Sequence, residues 1–163
     1  MDLAVHPIRK TLFIAQKDGL PILEFNLEGQ IAEYNFGSWS ETRLEFSSDG
    51  NLFAYGSSGT DYTRGYTDRW IYRMDLERVR SEIIASIPRT EPGGTISTLA
   101  VDSEGILWFY TNPDSKLYQV FPDGTVTLFA QNLPIDAPTV VVDSQGDIFF
   151  TSASGVFRVY REP

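Results

Sequence analysis

The sequence predicts an all-β chain built from one four-stranded sheet repeated four times, and three observations carry that expectation. Apolar runs of four to seven residues, rich in Val, Ile, Phe and Tyr, are bounded by Gly, Asp, Asn or Pro, as strands joined by turns require. One turn signature recurs: LAVDSEG places Asp102 at its anchor, and VVVDSQG places Asp143 there 41 residues later. Upstream, Ser47 in LEFSSDG and His6 in LAVHPIRK hold the matching positions, again 41 residues apart. The third observation is compositional. Aromatics make up 13% of the 163 residues, beside 13 Gly and 9 Pro, a mixture that suits many short strands and turns.

Each element can be justified in order. The first repeat reads LAV, LFIAQ, ILEFNL and IAEYNF, and the second LEFS, LFAYG, IYRMDL and SEIIASI. The third, residues 98–130, reads TLAV, LWFYT, LYQVF and VTLFA. The fourth supplies only TVVV, IFFTS and VFRVY. Alternation in Leu117-Tyr-Gln-Val-Phe and Leu23-Glu-Phe-Asn-Leu fits strands whose two faces are covered differently. Asp102 and Asp143 can accept bonds from backbone amides two residues on, while Gly105 and Gly146 tolerate positive φ. These acids therefore read as turn residues, and Pro122-Asp123-Gly124 as the turn between third and fourth strands.

Four-stranded units at a period of about 40 residues mark the blades of a β-propeller. The expected blades are 2–37, 42–88, 96–131 and 138–161, the last lacking its outer strand. An edge left unpaired invites association. A second copy or further blades at that edge is one expectation, and a small self-contained propeller the alternative. Between Ser47 and Asp102 the spacing is 55, so the second repeat carries an insertion, GSSGTDYTRGYTDRW, residues 56–70.

Charge and composition narrow the function. A net charge of −9 argues against a nucleic-acid partner, which needs clustered Lys and Arg. With no cysteine, disulfides and thiolate metal sites are excluded. No apolar run nears the roughly 20 residues that span a bilayer, and MDLAVHPIRK shows no signal-peptide pattern. No membrane partner is expected.

The run LAVDSEGILWFYTNPDSKLYQVFPDG resembles blades of NHL-type propellers and of the gluconolactonase-like and streptogramin-lyase-like families. The gluconolactonase resemblance implies a divalent cation at the channel mouth, held by Glu, Asn and Asp five residues before the turn acid. Here those positions hold Met1, Thr42, Ser97 and Pro138, none of them a carboxylate or amide. The next positions hold Asp2, Arg43, Thr98 and Thr139, one acid with Arg43 as its possible counter-charge. The lyase resemblance implies a histidine base with a metal, but His6, the single histidine, falls in a turn on the opposite rim. No metal site and no cofactor are expected.

The insertion stands out by its residue types. Asp61, Tyr62, Arg64, Tyr66, Arg69 and Trp70 join aromatic and Arg side chains of the kind that anchor interfaces. It is expected to protrude on the channel-mouth face, with Arg43 and Trp39 of GSWSET beside it. The alternative is a longer hairpin whose Tyr residues pack on their own blade. The expected function is non-enzymatic recognition of a protein, peptide or glycan at that face. The rival expectation is a metal-assisted lactonase-like or lyase-like enzyme whose site is completed outside this chain.

Overall fold

A computed structural model describes residues 2–16, 20–36, 43–61, 66–87, 95–112, 115–133, 139–152 and 155–159; for 57–61, 66–69, 95 and 152 it describes the backbone. The described residues form strands and turns and contain no helix. The fifteen strands make four antiparallel sheets, each a meander in chain order. The first holds β1 (Asp2–Val5), β2 (Leu12–Ala15), β3 (Ile22–Asn26) and β4 (Gly29–Tyr34). The second holds β5 (Arg43–Phe46), β6 (Leu52–Asp61), β7 (Tyr66–Asp75) and β8 (Arg80–Ser86). The third holds β9 (Thr95–Val101), β10 (Leu107–Asn112), β11 (Lys116–Val120) and β12 (Val126–Ala130). The fourth holds three among the described residues: β13 (Thr139–Val142), β14 (Ile148–Ser152) and β15 (Gly155–Val159).

The chain divides into two compact units, Met1–Ile87 and Pro88–Pro163, each with two blades. In the first unit the core lies between the blades. Phe13, Ala15, Ile22 and Tyr34 of the first blade meet Leu44, Phe46, Leu52, Ala54, Tyr72 and Met74 of the second. Phe13 is fully buried and meets Phe46 edge-on at 5.0 Å. Burying a side chain of this size contributes about 1.5–3 kcal/mol, so the face-to-face stack holds the two sheets together. The second unit repeats the design. Trp108, Tyr110 and Leu117 of the third blade pack on Val140, Ile148 and Phe150 of the fourth.

The four turns between first and second strands show why the anchor recurs. Asp102 Oδ1 accepts the amides of Glu104 (3.0 Å) and Ile106 (2.9 Å), and Oδ2 accepts the Trp108 indole N–H at 3.0 Å. Asp143 Oδ1 accepts the amides of Gln145 and Asp147 at 2.8 and 2.9 Å. Ser47 Oγ accepts the Asn51 amide. His6 does the same work with its ring: Nδ1 accepts the amides of Ile8 and Arg9 at 3.2 and 3.3 Å. Its turn is one residue longer, and Lys10 (φ 58°) takes the left-handed place that Gly50, Gly105 and Gly146 hold elsewhere.

One strand departs from simple alternation. In β3 the better-covered face carries Ile22 and Glu24, while Leu23 and Phe25 are half-buried. Glu24 is 2% exposed, and its carboxylate accepts the Thr11 hydroxyl and the Tyr34 phenol, both at 2.6 Å, with Arg9 at 3.8 Å. A carboxylate tolerates such burial because its oxygens are satisfied.

Candidate functional site

The insertion mostly continues the strands. β6 and β7 run ten residues each, where the other strands have four to seven. Their pairing extends from Leu52↔Met74 to Asp61↔Tyr66, with one register shift between Ser58 and Thr60. The flanking strands stop sooner. β5 pairs with β6 as far as Tyr55, and β8 pairs with β7 as far as Trp70. Beyond those points β6 and β7 pair only with each other, among the described residues, as a two-stranded ribbon. The expected protruding loop is therefore largely a β-ribbon.

The candidate binding residues distribute unevenly along it. Asp61 and Tyr66 stand opposite one another at the far end of the described ribbon, and Arg69 lies on β7 opposite Ser57. Trp70 sits at the base, half-buried against the core of the first unit, with its ring edge-on to Tyr72 at 6.3 Å. Trp70 thus packs on the core that the first two blades share. Arg43 lies at the start of β5, opposite Tyr55. Trp39, Tyr62 and Arg64 fall outside the described residues.

The innermost strands carry a second pattern, which the sequence reading missed. Asp2 Oδ2 accepts the amide of Leu44 at 2.8 Å, and Thr98 Oγ1 accepts the amide of Val140 at 3.3 Å. Both acceptors lie four residues before a turn anchor, and both bonded amides lie three before the next one. Each ties the innermost strand of one blade to that of its successor within its unit. Asp2 therefore has a structural partner in the Leu44 backbone. Near it, burial and the Asp2 charge push the Glu45 carboxyl up to about 7. An acid on a short strand among apolar neighbours was the available signal for Glu45, and its sequence context resembles any half-exposed strand position.

At the opposite end of the second blade lies an open cleft of about 670 Å³, lined in part by His6, Arg9, Arg73, Arg78 and Arg80. Much of its charge is internally paired, Arg73 with Glu82 at 2.6 Å and Arg78 with Asp75 at 3.0 Å. Burial holds His6 below its ordinary pKa, which suits a ring nitrogen that accepts amide hydrogens. Among the described residues no three His, Cys, Asp or Glu side chains gather in an arrangement able to hold a metal ion.

The sequence matches no protein-family model and no curated protein. Solved structures do match. A streptogramin B lyase superposes with a TM-score of 0.65 at 17% identity, over 98% of this chain and 50% of the lyase chain. A gluconolactonase from Xanthomonas campestris gives 0.65 at 16%, over 96% and 57%. A chain of a nidogen/laminin complex gives 0.68 at 14%, over 98% and 59%. The chain thus spans between 50% and 59% of the length of these three. They include enzymes and a protein of a binding complex, so the likeness carries architecture and leaves activity open. By fold, this chain is made of β-propeller blades.

Proposed function

We propose that this chain is a recognition module, not an enzyme, and that it binds a protein, peptide or glycan through the end from which the β6–β7 ribbon extends. The observation that supports this most is the ribbon itself. Two strands paired only with each other are marginal in water, and among the described residues no further strand pairs along either edge of the ribbon. An extended peptide that adds to such an edge satisfies its backbone N–H and C=O groups. Asp61, Tyr62, Arg64, Tyr66 and Arg69 then supply side-chain contacts, with Trp39 and Arg43 as candidate neighbours. The test replaces residues 58–68 by an Asn-Gly turn between the paired Ser57 and Arg69, keeping the four-stranded part of the sheet. Peptide and glycan arrays probed with both chains should lose their signal with the trimmed one. Equal binding by the two chains sinks the proposal.

A second reading has one observation in its favour. Glu45, with its carboxyl near 7 and Asp2 nearby, can hold or release a proton at neutral pH, as an acid–base group needs. This supports a metal-assisted lactonase-like or lyase-like activity, with the rest of the site supplied from outside this chain. Lactone hydrolysis with added divalent cation, abolished by Glu45→Gln, is its signature. Activity unchanged in that variant removes Glu45 from the chemistry.

A further inference from the structure

The first blade has two faces, and among the described residues one is packed while the other leaves Leu3 and Val5 exposed. Phe13, Ala15, Ile22 and Tyr34 pack on the second blade. The other face carries Leu3, Val5, Leu12, Ile14, Leu23 and Phe25, aligned across the sheet as Leu3↔Ile14↔Leu23 and Val5↔Leu12↔Phe25. Leu3 and Val5 are 54% and 60% exposed. In the second blade the equivalent positions are Leu44, Phe46, Leu52, Ala54, Tyr72 and Met74, paired in the same way. All six of those are buried, and they cover the first blade. The exposed face of the first blade is thus the face that, one blade later, seats on a preceding blade.

The fourth blade presents the complementary surface. Its positions equivalent to Ala4, Phe13, Ala15 and Ile22 are Val141, Phe149, Thr151 and Val156. Val141 and Val156 are 50% and 70% exposed. In the first blade the equivalents of these residues face the second blade. Thr139 stands where Asp2 and Thr98 stand, the position that bonds the innermost strand of the following blade.

We propose that these two faces bind each other between two copies of this chain, the first blade of one copy seating on the fourth blade of the other. Thr139 then accepts the Leu3 amide of the second copy, as Asp2 accepts that of Leu44. Each copy offers one face of each kind, so a pair of copies that makes this contact twice leaves neither face uncovered. An isolated apolar sheet face of this kind is otherwise an aggregation liability.

The experiment is light scattering on the purified 163-residue chain, with far-UV circular dichroism as the check on folding. The expected mass is twice 18.3 kDa. Val5→Glu blocks one face and Val156→Glu the other, so each variant alone should run as a monomer. Mixed in equal amounts, they retain one intact pair of faces, and the doubled mass should return. Val79→Glu, on an exposed residue of the turn between β7 and β8 of the second blade, should leave the mass unchanged. Should either glutamate variant fail to fold, Leu3→Ser and Val141→Thr take their places in the same scheme. A monomeric wild-type chain overturns the proposal, as does a dimer that neither variant weakens. A mixture that stays monomeric overturns the head-to-tail arrangement.

Discussion

In the third blade Asp102 gathers two amides with one carboxylate oxygen and the Trp108 indole with the other; in the first blade His6 gathers two amides with one ring nitrogen. Both side chains are buried, at 4% and 5% exposure. The carboxylate holds its turn by three hydrogen bonds. The imidazole holds fewer, and adds ring packing on Phe46 at 4.8 Å and on Phe13 at 6.2 Å. The difference teaches that the repeat conserves a backbone problem, orphaned amides in a tight turn, while each blade is free to solve it with a different acceptor.

The largest expected effect comes from breaking the Asp102 turn. Asp102→Ala orphans three donors, two of them buried, and should cost about 3 kcal/mol in urea unfolding. Asp102→Asn should recover part of that loss. Its amide oxygen can keep the backbone pair, but its NH₂ then faces the Trp108 N–H. If Asn proves as stable as Asp, the indole bond contributes nothing.

Gly50→Ala tests how the second turn leans on the first. A Cβ there lies 2.9 Å from His6 Cε1, on a backbone at φ +89°, so a loss of about 2 kcal/mol is expected. Gly105→Ala, at φ +78° with its nearest neighbour 4.0 Å away, should cost only the backbone strain, about 1 kcal/mol. Adding His6→Ala to Gly50→Ala should relieve the clash, and a double-mutant cycle measures that coupling. Strict additivity refutes the contact.

Asp143→Ala should be milder than its counterpart in the third blade. Asp143 is half-buried, and Phe149, whose ring carries no N–H donor, stands where Trp108 stands. A loss of about 1 kcal/mol, measured beside Asp102→Ala, isolates what burial and the indole add.

The smallest effect is a pH dependence. Burial holds the His6 pKa below its ordinary 6.5, so the folded state favours the neutral ring. The stability this confers is present above 6.5 and is lost as pH falls through the depressed folded value. His6→Asn keeps an acceptor that does not titrate, so its stability should be flatter than the wild type's across that window. Parallel curves remove His6 from the acid response.

Much of this architecture was legible because its causes are local. An Asp or Ser that caps its own turn, a Gly in a left-handed place, and short β-branched and aromatic runs all act within a few residues. The candidate site was less legible. The 56–70 insertion announced itself by length, but its division into ribbon and base depends on where β5 and β8 stop pairing. Glu24 reads as a solvent-facing residue of an alternating strand, and is instead buried because Thr11 and Tyr34, 13 and 10 residues away, close over it. Asp2 reads as a charge and acts as the hydrogen-bond acceptor for an amide 42 residues on.

By itself, then, the sequence determined the repeat, the turns that punctuate it and the pairing of neighbouring strands, since hairpins are settled by side chains close in the chain. Tertiary structure decided which of two apolar faces is buried. Leu3, Val5 and Leu23 differ little in kind from Leu44, Phe46 and Tyr72, yet the second set is buried and Leu3 and Val5 are not. A sheet face becomes core only when another sheet stacks on it, and that depends on which blade comes before.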